Sequence, residues 1–449
     1  MEKTNKKNII VVGGGFAGLN FARQLFNNRF YNVTLVDKNN YNYFTPLLYQ
    51  VATSFLEPGN ISYPFRKLFR GKDIHFRMAR VDYVDTKNNK LYLNDSGILE
   101  YDYLVFAAGS KTNFFGNESI QRNSHSLKGI DDALYMRNEL IKILEKAAIE
   151  KDTAERQKLL TIVIAGGGPT GVEVAGMLAE MKHFIIGKEY PELNPVAAEI
   201  HVIDGAGHLL EPMSEKTHDA ACKELARLGI RVKLDTRVVL YENDQVHLSD
   251  GEIIEAKTLI WAAGVIANSF DGIPAESLGR GKRMLTNDYN QVQGFKNVFA
   301  IGDISIQTND ISYPNGHPQL AQPAIQQGKT LAKNFVAMAN GKPMKAFKYF
   351  DRGDMAIIGR KFAVADLFKH KVHIGGLAGL LAWLFIHLIS LVNYNNIIKT
   401  LYNWTVAYLT RDQALRMIFR SGNRENEMEK PELKGQLPEP AKILHQTSN

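Results

Sequence analysis

The chain has 449 residues, 45% hydrophobic and 22% charged, the composition of a globular protein of roughly three domains. Its single cysteine, Cys222, excludes a disulfide framework, a four-thiolate zinc site, a cysteine-ligated iron–sulfur cluster and a redox-active cysteine pair. The net charge of +7 is unevenly placed: ten Lys or Arg and only four Asp lie between Ala346 and Arg420.

The N-terminal stretch Met1–Asn8 has no apolar h-region and is read as lacking a secretory signal, which places the protein in the cytoplasm. It leads into a strand, Ile9-Ile10-Val11-Val12, and then into Gly13-Gly14-Gly15-Phe16-Ala17-Gly18. A second strand, Tyr31–Val36, ends in Asp37 and Lys38, and Asp37 follows Gly18 at the interval expected of a ribose-binding acid. An aromatic loop follows, Tyr41 to Gln50, and then a buried strand, Tyr101–Phe106, that ends in Ala107-Ala108-Gly109.

The same plan then repeats. Thr161–Ala165 feeds Gly166-Gly167-Gly168-Pro169-Thr170-Gly171, and Glu199–Ile203 ends in Asp204. The interval from Gly171 to Asp204 is longer than its counterpart in the first half, and residues 184–195 are read as an added loop. Thr258–Trp261 ends in Ala262-Ala263-Gly264, echoing the first half. Asn297–Ile301 ends in Gly302-Asp303, and Ala321-Gln322-Pro323-Ala324-Ile325-Gln326-Gln327-Gly328 opens a helix running towards Ala339.

Near the C-terminus, Ile374–Val392 carries no formal charge from end to end. By length it could span a membrane. The following amphipathic stretch, Tyr394–Phe419, favours two helices lying on the surface instead. The positive excess in this region is either a solvated face or an attraction to anionic lipid. Nucleic acid is disfavoured as a partner, because the same region is the most apolar in the chain. The tail beyond Arg420 is charged, contains proline and is read as loosely ordered.

Each glycine fingerprint sits between a strand and a helix start, where free N–H groups and the positive helix end face a pyrophosphate. The acid at the end of the next strand accepts hydrogen bonds from a ribose; the plain alternative for each is a solvated strand end. Two such sites in one chain imply two dinucleotides, one resident and one exchanging, and hence hydride transfer. No arginine stands in Gly205-Ala206-Gly207 to hold a 2′-phosphate, which favours NADH over NADPH. Cys222 is read as a packed helix residue. His317 has no partner at metal-ligand spacing and is read as a loop histidine, so no metal site is assigned.

The chain resembles type II NADH:quinone oxidoreductases over residues 5 to 420. The resemblance is carried by both fingerprints, by Phe44-Thr45-Pro46-Leu47-Leu48-Tyr49-Gln50-Val51-Ala52, by Ala300–Asp303, by Ala321–Gly328 and by the amphipathic C-terminal region. It implies an α/β fold of two Rossmann-like domains: a discontinuous FAD domain (1–113 and 286–345), an inserted NADH domain (114–285) and a membrane-associated region (346–449). FAD would be held by Gly13, Gly15, Phe16, Ala17, Gly18, Asp37, Lys38, Thr45, Pro46, Leu47, Ala108, Gly109, Gly302 and Asp303. NADH, the exchanging substrate, would be held by Gly166, Gly168, Pro169, Thr170, Gly171, Glu173, Asp204, Ala263 and Gly264. Gln322, Pro323, Ile325, Gln326 and Lys371 would meet a quinone.

Glu173 and Gln322 carry the catalytic roles in this reading. Each has a plain alternative: a first-turn acid favoured by the helix dipole, and a helix-start amide satisfying a backbone group. The implied activity is a respiratory, non-proton-pumping transfer of electrons from NADH through FAD to quinone. The implied location is peripheral, on the cytoplasmic side of the inner membrane, with a homodimer left open. Two other readings stand beside it: a soluble NADH-dependent reductase of a small redox protein, and a non-catalytic nucleotide-sensing scaffold.

Overall fold

The structure, a computed structural model, describes residues 6–193, 198–368, 370–410 and 415–418. The C-terminal tail lies outside the described residues.

The first glycine fingerprint closes a parallel five-stranded sheet. Its strands are β1 (Lys7–Val12), β2 (Tyr31–Asp37), β3 (Ile74–Met78), β4 (Tyr103–Phe106) and, from far along the chain, β9 (Val298–Ala300), in the order β9–β4–β1–β2–β3. Such near-continuous apolar strands suit a sheet covered on both faces. The second fingerprint closes a smaller parallel sheet of β5 (Thr161–Ala165), β6 (Glu199–Ile203), β7 (Arg231–Lys233) and β8 (Thr258–Trp261), ordered β7–β6–β5–β8. In each, the fingerprint strand is central and the acid-tipped strand is its neighbour. The first unit is discontinuous, since β9 pairs with β4 across the inserted second sheet.

Helix α1 (Phe16–Gln24) follows the first fingerprint and α4 (Pro169–Met181) the second. Between them come the short α2 (Leu48–Ala52) in the aromatic loop and the long α3 (Ile130–Ile149). Helix α5 (Glu215–Arg227) carries Cys222, which is half-buried and has its thiol pKa raised mainly by burial. Helix α6 (Ala321–Ala339) packs on α1, where Gly328 permits close approach: a Cβ there would overlap the Ala17 carbonyl.

One expectation needs correction here. Residues 184–189 are not loop: the chain leaves α4 through a π-helical turn, Lys182–Ile186, and a last helical turn, Gly187–Glu189. Ile185 and Ile186 are buried, so packing against the core carries the helix past its expected end.

A three-stranded antiparallel sheet, β10 (Gly353–Ile358), β11 (Phe362–Leu367) and β12 (Val372–Gly375), leads into α7 (Gly376–Ile389) and α8 (Tyr394–Thr410). Among the described residues no helix is long and apolar enough to cross a membrane. Helix α7 lies on β11 at Gly379, where a Cβ would stand 2.5 Å from the Ala363 carbonyl oxygen. Helix α8 is tied to the first unit by Asn396, whose amide donates to the carbonyls of Asn60 (2.7 Å) and Ser62 (3.0 Å).

Candidate functional site

The two cradles are built alike. A Cβ at Gly13 would stand 2.5 Å from the Ala107 carbonyl oxygen, and one at Gly166 2.5 Å from that of Ala262. Gly18 and Gly171 each pack so closely on the first glycine of their own motif that a Cβ would overlap its carbonyl. Gly15 and Gly168, the N-caps of α1 and α4, instead face open space: nothing lies within 4 Å of a Cβ built there. A dinucleotide pyrophosphate fits that opening, beside the positive end of the helix.

The acids stand where the motif requires. Asp37 accepts from the Gly14 N–H (2.6 Å) and the Asn39 N–H (2.8 Å), and desolvation holds its pKa above the usual value. Lys38, exposed beside it, opposes that shift. Asp204 accepts from the Gly167 N–H and, at 2.6 Å, from the Ala206 N–H.

The small-residue strand ends join the two halves. Ala108 and Gly109 run into Ser110–Thr112, and Ala263 and Gly264 run into Val265–Ala267; these two segments pair antiparallel, Ser110 with Ala267 and Thr112 with Val265. Asn268 fixes the first end by donating to the Ala108 carbonyl at 2.7 Å.

At the far end of the first cradle, Gly302 adopts φ = 77° and brings Asp303 to the Ser110 hydroxyl, which donates to it at 2.7 Å. Lys128 donates to the same hydroxyl at 3.1 Å, and its pKa is lowered, chiefly by desolvation. Gln327 holds the turn by accepting from the Gly302 N–H at 2.6 Å. This part-buried polar cluster suits the oxygen-rich middle of a dinucleotide. Lys128, Ser110 and Gln327 escape sequence reading because the contacts join segments far apart in the chain.

Thr45, Pro46 and Leu47 form a 3-10 turn at the start of α2. Phe44, just before it, packs edge-on against Phe16 of the first fingerprint (5.6 Å) and against His387 of α7 (6.1 Å).

Glu173 corrects another expectation. Helix α4 begins at Pro169, so Glu173 falls in its second turn, and no acid stands in the first. The dipole explanation therefore fails, and the interior takes over. The side chain is buried, 8% exposed, and its pKa rises to about 8, chiefly by desolvation. The Ile357 N–H, at 3.5 Å, offsets part of the rise. The buried Trp383 indole N–H, which has no partner of good hydrogen-bond geometry, adds a weaker favourable contact. Tyr49 stands near Glu173, and its hydroxyl accepts from Gln50 at 2.9 Å; Gln50 in turn accepts from the Trp404 indole of α8 at 2.8 Å. Trp383 stacks on His387 with ring centroids 3.8 Å apart. The second fingerprint helix, the aromatic loop and α7 thus meet at one carboxyl, and α8 joins them through Trp404, which bonds Gln50 and packs on Trp383 with ring centroids 5.9 Å apart.

Gln322 donates to the Gly353 carbonyl at 2.7 Å, and Gln326 exchanges two hydrogen bonds with Phe350 (2.9 and 3.0 Å). Both amides bind the chain entering β10; Pro323 is buried and Ile325 half-buried on the same helix start. Lys371 is exposed in the turn before β12, next in the chain to His370, which pairs with Asp354. His317 is a loop residue, buried and paired with Asp310 at 3.0 Å.

Residues 7–328 match the family described as pyridine nucleotide-disulphide oxidoreductase. The chain is 34% identical, over 90% of its length and 87% of the other, to a Mycobacterium tuberculosis protein, "Type II NADH:quinone oxidoreductase NdhA". The chain belongs to the type II NADH:quinone oxidoreductase family. It is also 31% identical, over 67% of this chain and 55% of the other, to an Arabidopsis thaliana protein, "External alternative NAD(P)H-ubiquinone oxidoreductase B3, mitochondrial". Its fold matches that of a Plasmodium falciparum NDH2 solved in complex with NADH, at a TM-score of 0.84 and 21% identity, covering 93% of this chain and 100% of that one. The broader family's disulphide has no counterpart, since Cys222 is the only cysteine. The chain is an oxidoreductase of the flavin-dependent type.

Proposed function

We propose that this protein oxidises NADH, holds FAD in the first cradle, and delivers two electrons and two protons to a membrane quinone without pumping protons. The observation that carries the reading is the convergence at Glu173. A residue of the nucleotide-binding helix is buried near the aromatic loop of the other cradle and against α7, and α8 bonds that same loop through Trp404. An electron donor in one cradle and an acceptor arriving along those helices would reach one interior point.

The chain's own residues supply placement, dryness and protons. Asp37 would hold the adenosine ribose of FAD, and Asp303, backed by Ser110 and Lys128, would accept from the hydroxyls of its ribityl chain. Thr45, Pro46 and Leu47 would bound the flavin ring, which when bound supplies the two-electron chemistry between NADH and quinone. Asp204 holds the NADH ribose. Glu173, its pKa raised to about 8 by burial, would hold a proton for the reduction of the quinone. Gln322, Pro323, Ile325 and Gln326 line the approach of the quinone head.

Helices α7 and α8 supply the lipid contact. Leu377, Leu381, Phe385 and Ile389, spaced by four on α7, are all exposed, as are Tyr394, Ile398, Leu401 and Tyr402 on α8. An apolar stripe this long belongs in a bilayer interface. The protein then sits peripherally on the cytoplasmic face of the inner membrane.

Anaerobic stopped flow on the full-length protein tests the scheme. NADH should bleach a retained flavin and a short-chain quinone should restore its colour. Gln322→Leu should slow the second phase and spare the first; equal slowing of both would remove Gln322 from the quinone site. A folded protein that retains no flavin would overturn the proposal.

A further inference from the structure

We infer that Arg237 completes the adenosine end of the NADH site and, together with Asp204, sets which nicotinamide dinucleotide is accepted. The inference rests on the proposed reading of the second cradle. Arg237 lies well beyond Asp204 in the chain, just before the strand Val238–Glu242, outside the Gly205–Gly207 segment where a 2′-phosphate ligand would be sought in sequence. The fold closes that distance. The Thr236 N–H donates to the Asp204 carbonyl at 2.9 Å, and the Asp235 N–H to that of Ala206 at 3.1 Å. The backbone of Arg237 is itself pinned, its N–H donating to the Ser249 hydroxyl at 3.0 Å.

Its side chain lies across Gly205. A Cβ there would stand 2.9 Å from the Arg237 Cγ and 3.0 Å from its Nε, so the arrangement depends on residue 205 being glycine. The residue is exposed and makes no ion pair among the described residues. A carboxylate and an uncommitted guanidinium thus flank the place where the ribose and adenine end. The carboxylate accepts from ribose hydroxyls and repels a 2′-phosphate. The guanidinium offers a flat cationic face to adenine and a forked donor to a phosphate. With Asp204 in place, Arg237 clamps adenine and NADH is preferred. With that carboxylate removed, the same arginine receives the 2′-phosphate of NADPH.

The test uses full-length protein, two probes, 5′-AMP and 2′,5′-ADP, titrated by calorimetry, and steady-state kinetics with NADH and NADPH. Arg237→Ala should raise KM for NADH about three- to fivefold at unchanged kcat. Asp204→Asn should tighten 2′,5′-ADP about tenfold or more, and adding Arg237→Ala should erase that gain. Arg237→Lys in the Asp204→Asn background should keep part of it. A double variant that binds 2′,5′-ADP as tightly as Asp204→Asn alone overturns the role of Arg237 and leaves the cradle intact. An Asp204→Asn protein unchanged towards both probes and NADH overturns the placement of the nucleotide itself.

Discussion

At position 173 the surroundings, rather than the helix, decide where the proton sits. A first-turn glutamate would have had a lowered pKa; this one is raised to about 8, with desolvation the leading cause. The linkage follows from the sign of the shift. The folded protein binds this proton more tightly than the unfolded chain, so the stabilisation is complete below the unfolded pKa and is lost as pH rises towards about 8. The loss runs at about 1.4 kcal/mol per pH unit across that window. Glu173→Gln, neutral at every pH, should therefore show a flatter melting temperature between pH 5 and 8, relative to wild type, by differential scanning fluorimetry. Parallel pH profiles for the two proteins would mean that the carboxyl is ionised in the native state. On the proposed role of Glu173 as a proton store, the same variant should also slow quinone reduction. Asp37 and Asp204 were legible in the sequence because strand, glycine motif and acid form a local pattern. Gln50 and Trp404 were not: they bond across 354 positions, and neither carries a local signature.

The same contrast holds for elements. Strand and helix order around both fingerprints was legible from apolar runs and glycine spacing. The π-helical turn after α4 was not, because burial of Ile185 and Ile186, not local propensity, sustains it. Helix α7 shows how one residue sets an element's position. Gly379→Ala on an exposed helix would add about 1 kcal/mol of stability. Here the new methyl meets the Ala363 carbonyl oxygen 2.5 Å away, a backbone atom that cannot swing aside. Overpacking of this kind costs about 1–3 kcal/mol, so the substitution should lower the melting temperature. Trp383, one turn further along the helix and buried, should report the shift by a red-shifted emission. An unchanged spectrum with higher stability would show that α7 rides free of β11.

On the scale of the whole molecule, two forces would act on the proposed membrane face, and they separate experimentally. The apolar stripe of α7 and α8 supplies a term that salt does not screen, with Phe385 alone 63% exposed. The cations between Ala346 and Arg420 supply a second term of about 1 kcal/mol for each residue near an anionic surface at low salt. That term is lost when the screening length falls to about 3 Å at roughly 1 M salt. Co-sedimentation with vesicles should therefore weaken with salt when the lipid is anionic and stay level when it is neutral. Replacing Leu381 and Phe385 together by Asp should abolish binding to neutral vesicles and leave only the salt-sensitive part on anionic ones. Those side chains face away from the core, so flavin content and reduction by NADH should not change. Full retention of the double variant on neutral vesicles would place the lipid contact elsewhere. The proposed approach of the quinone past α7, whose buried Trp383 lies against Glu173, would then lose its support.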